Sequence, residues 1–224
     1  MNKPDDSFAV MAATSAAGIV PWGGLVAPFV EPVLRAVQVE WARIFSKSLK
    51  MATKRARMDL EDLKEVLDGN PRLMPLIVRL QYAAGMNGYD KTLMMLAGFL
   101  GDALSDSSKI DEAATMMAAV ENLGPAHVQV LELMTKDASD VDPTCARGDV
   151  RWNTGRLTYV MNMRPELVIL GVQGLLNAGF ISDTGFDGGG ANQEGMGVGG
   201  TTFAVTGLGA TVLHILSEMS EASA

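Results

Sequence analysis

The sequence predicts a mostly α-helical protein, and three observations lead to this class. Apolar residues recur every three or four positions along much of the chain, which is the period of one helix face. Proline and glycine interrupt that pattern and mark where one helix stops and the next begins. At 224 residues, with 48% hydrophobic residues, the chain is long enough to bury a core without disulfides or metals, as one medium domain or two small ones.

Charge and cysteine content narrow the function classes. The single Cys145 excludes an intramolecular disulfide framework and any multi-cysteine metal site, and it fits a reducing compartment. The N-terminus carries Asp5 and Asp6 against Lys3, so it lacks the basic start of a secretory signal. A net charge of −8 argues against a general nucleic-acid binder. We therefore expect a cytoplasmic protein.

Residues 8–30 contain no charged side chain and form the first region of interest. A single helix over this run would be long enough to span a bilayer, but glycines and prolines interrupt it and favour a broken helical hairpin. These residues predict either a buried hairpin or an apolar wedge that contacts a membrane. The wedge would consist of Val20, Pro21, Trp22, Leu25 and Phe29.

A long amphipathic helix is predicted from Pro32 to about Asp68. Its apolar positions have a mean spacing near 3.67 residues, so they form one straight stripe. The stripe consists of Leu34, Val37, Trp41, Phe45, Leu49, Ala52, Ala56, Leu60, Leu63 and Leu67. At 1.5 Å per residue the helix would be about 55 Å long.

The opposite face of this helix is basic. Residues 35–57 hold seven Lys and Arg residues against Glu40 alone. The candidate surface, called here the basic face, consists of Arg35, Arg43, Lys47, Lys50, Lys54 and Arg57. The plainest interpretation is a solvated face. Together with an apolar wedge, however, a polybasic helix is typical of peripheral attachment to an anionic membrane, here the inner membrane face. It could equally bind nucleic-acid phosphates or the acidic C-terminal half of the same chain.

Further helices follow at about 71–86, 90–104, 108–122 and 125–136, separated by turns such as Asp68-Gly-Asn-Pro71 and Leu123-Gly-Pro125. The layout divides the chain into three regions. They are an apolar hairpin at 1–31, the basic helix with a small helical bundle at 32–122, and a different unit at 123–224.

The order of elements changes after residue 136. A polar stretch leads to a short helix around Leu157–Met163 and to a helix at 166–179. Phe180–Ser182 and Thr201–Val205 are candidate strands on either side of a glycine-rich loop, and Gly207–Met219 is a closing helix. Over about residues 123–220 this order resembles a winged helix with a two-stranded, glycine-rich wing. The whole layout also loosely resembles a set of bacterial proteins of the DUF4393-like kind, which implies no particular function.

The glycine-rich loop contains Gly195-Met-Gly-Val-Gly-Gly200, which formally matches the dinucleotide-binding pattern G-x-G-x-x-G. That pattern needs its glycines between a strand and a helix, so that the pyrophosphate meets the helix N-terminus. Here the β-branched and aromatic run TTFAV follows the glycines, so they open a strand. The motif therefore indicates a wing and not a nucleotide site.

The winged-helix resemblance implies either DNA binding or protein docking. The candidate recognition helix at 166–179 carries Glu166 and no Lys or Arg, and its only polar readers of a base edge are Gln173 and Asn177. The chain has no Lys or Arg after Arg164, whereas phosphate contacts come mainly from these residues. The sequence thus favours protein docking or oligomerisation. A DNA-binding regulator is the alternative, and its backbone contacts would come from Arg147, Arg151, Arg156 and Arg164.

No set of residues predicts catalysis, a metal site or a cofactor. His127 and His214 lie far apart in apolar helical patterns without carboxylate or cysteine partners at ligand spacing. The acidic loop at 137–149 lacks the residue order of an EF-hand. We therefore predict a non-enzymatic bacterial or phage interaction and regulatory protein, with an enzyme as the third alternative. It would be a homo-oligomer that contacts a protein partner or a membrane surface rather than nucleic acid.

Overall fold

The computed structural model describes residues 27–136, 152–187 and 200–222, and their side chains in 35–136, 152–185 and 201–222. The described residues form nine α-helices and one small antiparallel sheet, so the predicted mostly α-helical class is confirmed. The first five helices are α1 (Ala27–Ala56), α2 (Leu60–Gly69), α3 (Met74–Met86), α4 (Asp90–Ser105) and α5 (Ile110–Val120). The remaining elements are α6 (Pro125–Met134), β1 (Trp152–Asn153), α7 (Thr154–Met161), α8 (Pro165–Asn177), β2 (Ile181–Asp187), β3 (Gly200–Val205) and α9 (Gly207–Glu221).

The predicted single helix from Pro32 to about Asp68 is wrong, because the range contains two helices, although its far end agrees with the end of α2 at Gly69. The first helix begins earlier, at Ala27, and it stops at Ala56, where Arg57 takes a left-handed backbone conformation with φ of 57°. Asp59 then caps α2, because its carboxylate accepts hydrogen bonds of 2.9 Å from the backbone N–H groups of Glu61 and Asp62. The apolar spacing continues through this turn, so periodicity alone could not reveal it. With 30 residues, α1 is about 45 Å long.

Helix α4 forms the centre of the N-terminal bundle. Eleven of its sixteen residues are buried, and α1, α3, α5 and α9 pack around it. Two glycines allow the close approach of neighbouring helices. A methyl group at Gly101 would lie 2.8 Å from the carbonyl oxygen of Ala52 in α1, and one at Gly98 would collide with Ile215 in α9. Burial of the central helix thus depends on elements from both ends of the chain.

The C-terminal unit has the chain order α6, β1, α7, α8, β2, β3. Its strands lie in the spatial order β1-β3-β2, and both pairs are antiparallel. Strand β1, which pairs Trp152 with Phe203, was not predicted from the sequence. The register shifts between Asp183 and Gly185, and Gly185 has a φ of 117° that other residues rarely adopt. Helix α8 packs on α6, α7 and β2.

The two units share one continuous hydrophobic core. Helix α9 follows the sheet in sequence but packs mainly on α4 of the N-terminal bundle. At the turn between α5 and α6, the Leu123 carbonyl oxygen accepts hydrogen bonds from Asn87 at 2.9 Å and Thr92 at 2.6 Å. The predicted boundary at 122/123 falls in this turn, and the one at 31/32 falls inside α1.

Candidate functional site

The basic face of α1 is partly paired within the protein. Arg43 Nη2 lies 2.6 Å from Glu40 Oε1, and this hydrogen bond lowers the pKa of the Glu40 carboxyl. Lys47 Nζ lies 3.4 Å from Asp90 Oδ1 at the start of α4, and Lys54 Nζ donates to a carbonyl oxygen at the end of α9. Lys50 and Arg57 also belong to the basic face, and both are exposed and outside these contacts. Arg35 is exposed near the start of the described side chains.

Arg55 joins α1, α4 and α9 in one half-buried ion-pair network. Its Nε lies 2.7 Å from Asp102 Oδ1, and its Nη2 lies 2.9 Å from Glu218 Oε2. Burial lowers the pKa of Arg55, but hydrogen bonds to the two carboxylates outweigh this effect and raise it. Part of the basic segment thus contacts the acidic C-terminal half of the same chain, one of the three partners considered for it.

Several of the other predicted site residues lie outside the described part of the chain. They are Val20, Pro21, Trp22 and Leu25 of the apolar wedge, Arg147, Arg151 and the residues of the glycine motif before Gly200. Phe29 lies in α1, and only its backbone is described. Gly200 opens β3, as the sequence analysis predicted for these glycines. Arg156 is half-buried on α7, and Arg164 is exposed immediately before α8.

The outer face of α8 exposes apolar side chains. Ile169 is 47% exposed and Leu170 is 64% exposed, although the opposite side of the helix is buried in the core. Gly174 lets α8 approach α6 closely, because a methyl group there would collide with the imidazole of His127, and this contact holds the opposite side of α8 outward. The outer face of α8 consists of Glu166, Leu167, Ile169, Leu170, Gln173 and Asn177. It carries one acidic residue and no Lys or Arg.

A second apolar surface lies on α3 and was not predicted from the sequence. Met74, Val78, Tyr82 and Met86 are 45%, 55%, 63% and 68% exposed, and we call them the α3 stripe. Their spacing of four residues places them in one row along the helix. That spacing was readable in the sequence, but a row of apolar residues at helical spacing does not show whether other elements cover it. The indole of Trp41, itself 43% exposed, lies against Gly85 and extends the surface onto α1.

The two histidines have structural surroundings. His127 Nδ1 accepts a hydrogen bond of 3.0 Å from the backbone N–H of Gly124 and so caps α6, and burial lowers the pKa of its imidazole. His214 is exposed and lies 3.4 Å from Glu218. Within the described residues no three His, Cys, Asp or Glu side chains are grouped as metal ligands. Cys145 and the acidic loop at 137–149 lie outside those residues.

In the part of the chain that the structure describes, every helix is too short or too polar to cross a membrane. Comparison of the chain with protein-family models, with curated proteins and with solved structures gave no match. The resemblances to winged helices and to DUF4393-like proteins therefore stay predictions. Any function has to be argued from the surfaces described above.

Proposed function

We propose that the protein is a non-enzymatic interaction protein whose C-terminal unit is a winged helix that docks a protein partner on the outer face of α8. Two features support the winged helix. The helices and strands follow the order α6, β1, α7, α8, β2, β3, and the sheet has the antiparallel order β1-β3-β2. In this arrangement α8 is the third helix, which is the recognition helix of the DNA-binding members.

The exposure of Ile169 and Leu170 on that helix carries the proposal. Burying apolar surface contributes about 25 cal/mol per Å² removed from water, so two large side chains in the centre of a face favour association. The cores of protein–protein interfaces are depleted in charge, and this face matches them because Glu166 is its only charged residue. A DNA duplex would instead require Lys and Arg to neutralise its phosphates.

The proposal does not include the basic face of α1. Contact with an anionic membrane surface stays a prediction for it. Arg43, Lys47 and Lys54 are engaged with Glu40, Asp90 and the end of α9, so a membrane would have to compete with partners inside the protein. Docking on α8 does not depend on this surface.

The proposal is tested by placing a photo-reactive amino acid at Gln173, which is exposed on the outer face of α8, in the cells that make the protein. The matched control is Gln129, which is also exposed but lies on α6. We expect a single protein adduct at position 173, none at position 129, and loss of the adduct when Leu170→Glu is added. Adducts at both positions, or an adduct that Leu170→Glu leaves unchanged, would contradict docking on this face.

The DNA alternative gives a different result in a separate measurement. Fluorescence anisotropy with a duplex at increasing salt should show no binding at physiological ionic strength. Salt-sensitive binding that Arg156→Gln and Arg164→Gln together abolish would replace protein docking with DNA binding.

A further inference from the structure

We propose that the α3 stripe is the two-fold interface of a homodimer. The inference is independent of docking on α8, because it concerns another surface. The stripe runs over three helical turns, about 18 Å at 1.5 Å per residue. With Val37 and Trp41 it leaves on the order of 600 Å² of mostly apolar surface exposed, which is at the upper end of the roughly 300–600 Å² that the largest apolar patch covers on a typical soluble monomer. A solvent-facing helix side would be expected to carry polar residues.

The absence of charge on the stripe favours a second copy of the chain as the occupant. In a two-fold interface each surface patch meets itself, so an unpaired charge near the axis meets the same charge on the other copy. The α3 stripe contains no charge, and two ion pairs beside it are satisfied within the protomer, Arg79 with Glu121 and Arg72 with Asp111. Although the chain has a net charge of −8, the stripe itself carries no charge that would repel the stripe of a second copy.

The spacing of the stripe suits packing against itself. Side chains four residues apart form the ridge that interdigitates in the commonest class of helix packing, at a crossing angle of about −50°. A two-fold axis near the middle of α3 sets Val78 against Tyr82 of the second copy, so a small side chain faces a large one. A shallow depression of about 260 Å³ lies beside Tyr82 and Met86 and offers room for a side chain of the other copy.

The size of the surface is consistent with a specific dimer. A standard interface buries roughly 800 Å² per partner, with an apolar centre and a polar rim. The stripe and Trp41 provide the apolar centre. The paired residues Arg79, Glu121, Arg72 and Asp111 provide the rim. Methionines at both ends of the stripe adapt to irregular contacts, which favours close packing after small adjustments.

Sedimentation equilibrium of the full chain over a micromolar to millimolar series tests the proposal, with Val78→Lys and Val78→Glu as variants. Val78 is more than half exposed, so both variants should fold, and their circular dichroism spectra check this. We expect the unmodified chain to dimerise and each variant alone to be monomeric. An equimolar mixture of the two variants should dimerise again, because opposite charges then meet near the axis. The matched controls Val39→Lys and Val39→Glu, at a valine that is 70% exposed elsewhere on α1, should leave the dimer unchanged.

Three results would overturn the inference. A monomer throughout the series means that the stripe is not a homodimer interface. If that monomer dimerises only after deletion of residues 1–26, the N-terminal segment is what covers the stripe. A dimer that both Val78 variants leave intact uses another surface.

Discussion

Helices α4 and α8 are both rich in apolar residues, yet they end up in different surroundings. In α4 eleven of sixteen residues are buried, whereas in α8 four of thirteen are. The difference lies in their neighbours, because α4 is surrounded by α1, α3, α5 and α9, while α6, α7 and β2 cover α8 from one side. An apolar sequence thus predicts a helix whose side chains are unfavourable in water. The number of neighbouring elements that pack on the helix decides how many of those side chains are buried within the chain. The uncovered remainder is where the proposed partner would gain free energy by binding.

The largest expected effect is a loss of stability when a leucine of α4 is replaced by alanine, and the same substitution in α8 serves as the comparison. Leu100→Ala in α4 removes a side chain with no exposed surface and should lower the free energy of unfolding by about 2–5 kcal/mol, because it leaves a cavity. Leu170→Ala in α8 removes a side chain that is 64% exposed and should change it by less than about 0.5 kcal/mol. Urea denaturation of the two variants measures both values. Equal losses would mean that the outer face of α8 is covered within the chain.

The comparison also explains which parts of the fold the sequence could predict. Helices α3 to α6, α8 and α9 were predicted because their ends are marked by proline, glycine or capping residues and their apolar period is regular. The turn at Arg57 was missed because Leu63 continues the apolar stripe of α1 in spite of the break. The capping pair Asp59 and Asp62 was the signal that could have revealed it. Strand β1 was missed because two residues are too few to show a period, and its pairing with β3 is a long-range contact.

The candidate surfaces were harder to predict than the helices. Periodicity finds the apolar side of a helix but does not tell which apolar residues remain uncovered after packing. Val78 and Tyr82 continue a pattern that also fits a core, and Ile169 and Leu170 lie beside the buried Val168. The absence of Lys and Arg after Arg164, by contrast, is a property of the sequence itself and can be read without the structure. Which cations are engaged within the protein depends on α9 and α4, which are distant in sequence.

The second largest expected effect is the loss of stability when an ion pair is broken, and it again compares a partly buried site with an exposed one. Arg55→Met removes the cation that α4 and α9 share and leaves the carboxylates of Asp102 and Glu218 without it. We expect a loss of roughly 1–3 kcal/mol, as for hydrogen bonds to charged groups that are partly shielded from water. Arg72→Met breaks an ion pair whose side chains are 63% and 83% exposed, and it should cost less than about 0.5 kcal/mol. Thermal unfolding at low and high salt distinguishes the two, and similar losses would contradict a special role for the network.

The smallest effect is a pH dependence from His127 at the interface of α6 and α8. Its Nδ1 accepts the Gly124 N–H only while the imidazole is neutral, and burial lowers its pKa in the folded state below the usual value of 6.5. As the pH falls through 6.5, the unfolded chain therefore takes up a proton that the folded chain binds less readily, and the free energy of unfolding decreases. We expect His127→Gln to remove this contribution, because glutamine at this third helical position can still accept the capping hydrogen bond without titrating.

Urea midpoints of the unmodified chain and the variant between about pH 5.5 and 7.5 measure the contribution, since the usual histidine pKa lies inside this window. Carboxylates that titrate over the same range cancel in the difference between the two proteins. The control His214→Gln changes an imidazole that is 72% exposed, so it should leave the His127 contribution in place. If His127→Gln shows the same fall in stability as the unmodified chain, the cap on α6 does not depend on a neutral imidazole. The contact between α6 and α8 that orients the outer face of α8 would then be insensitive to pH in this range.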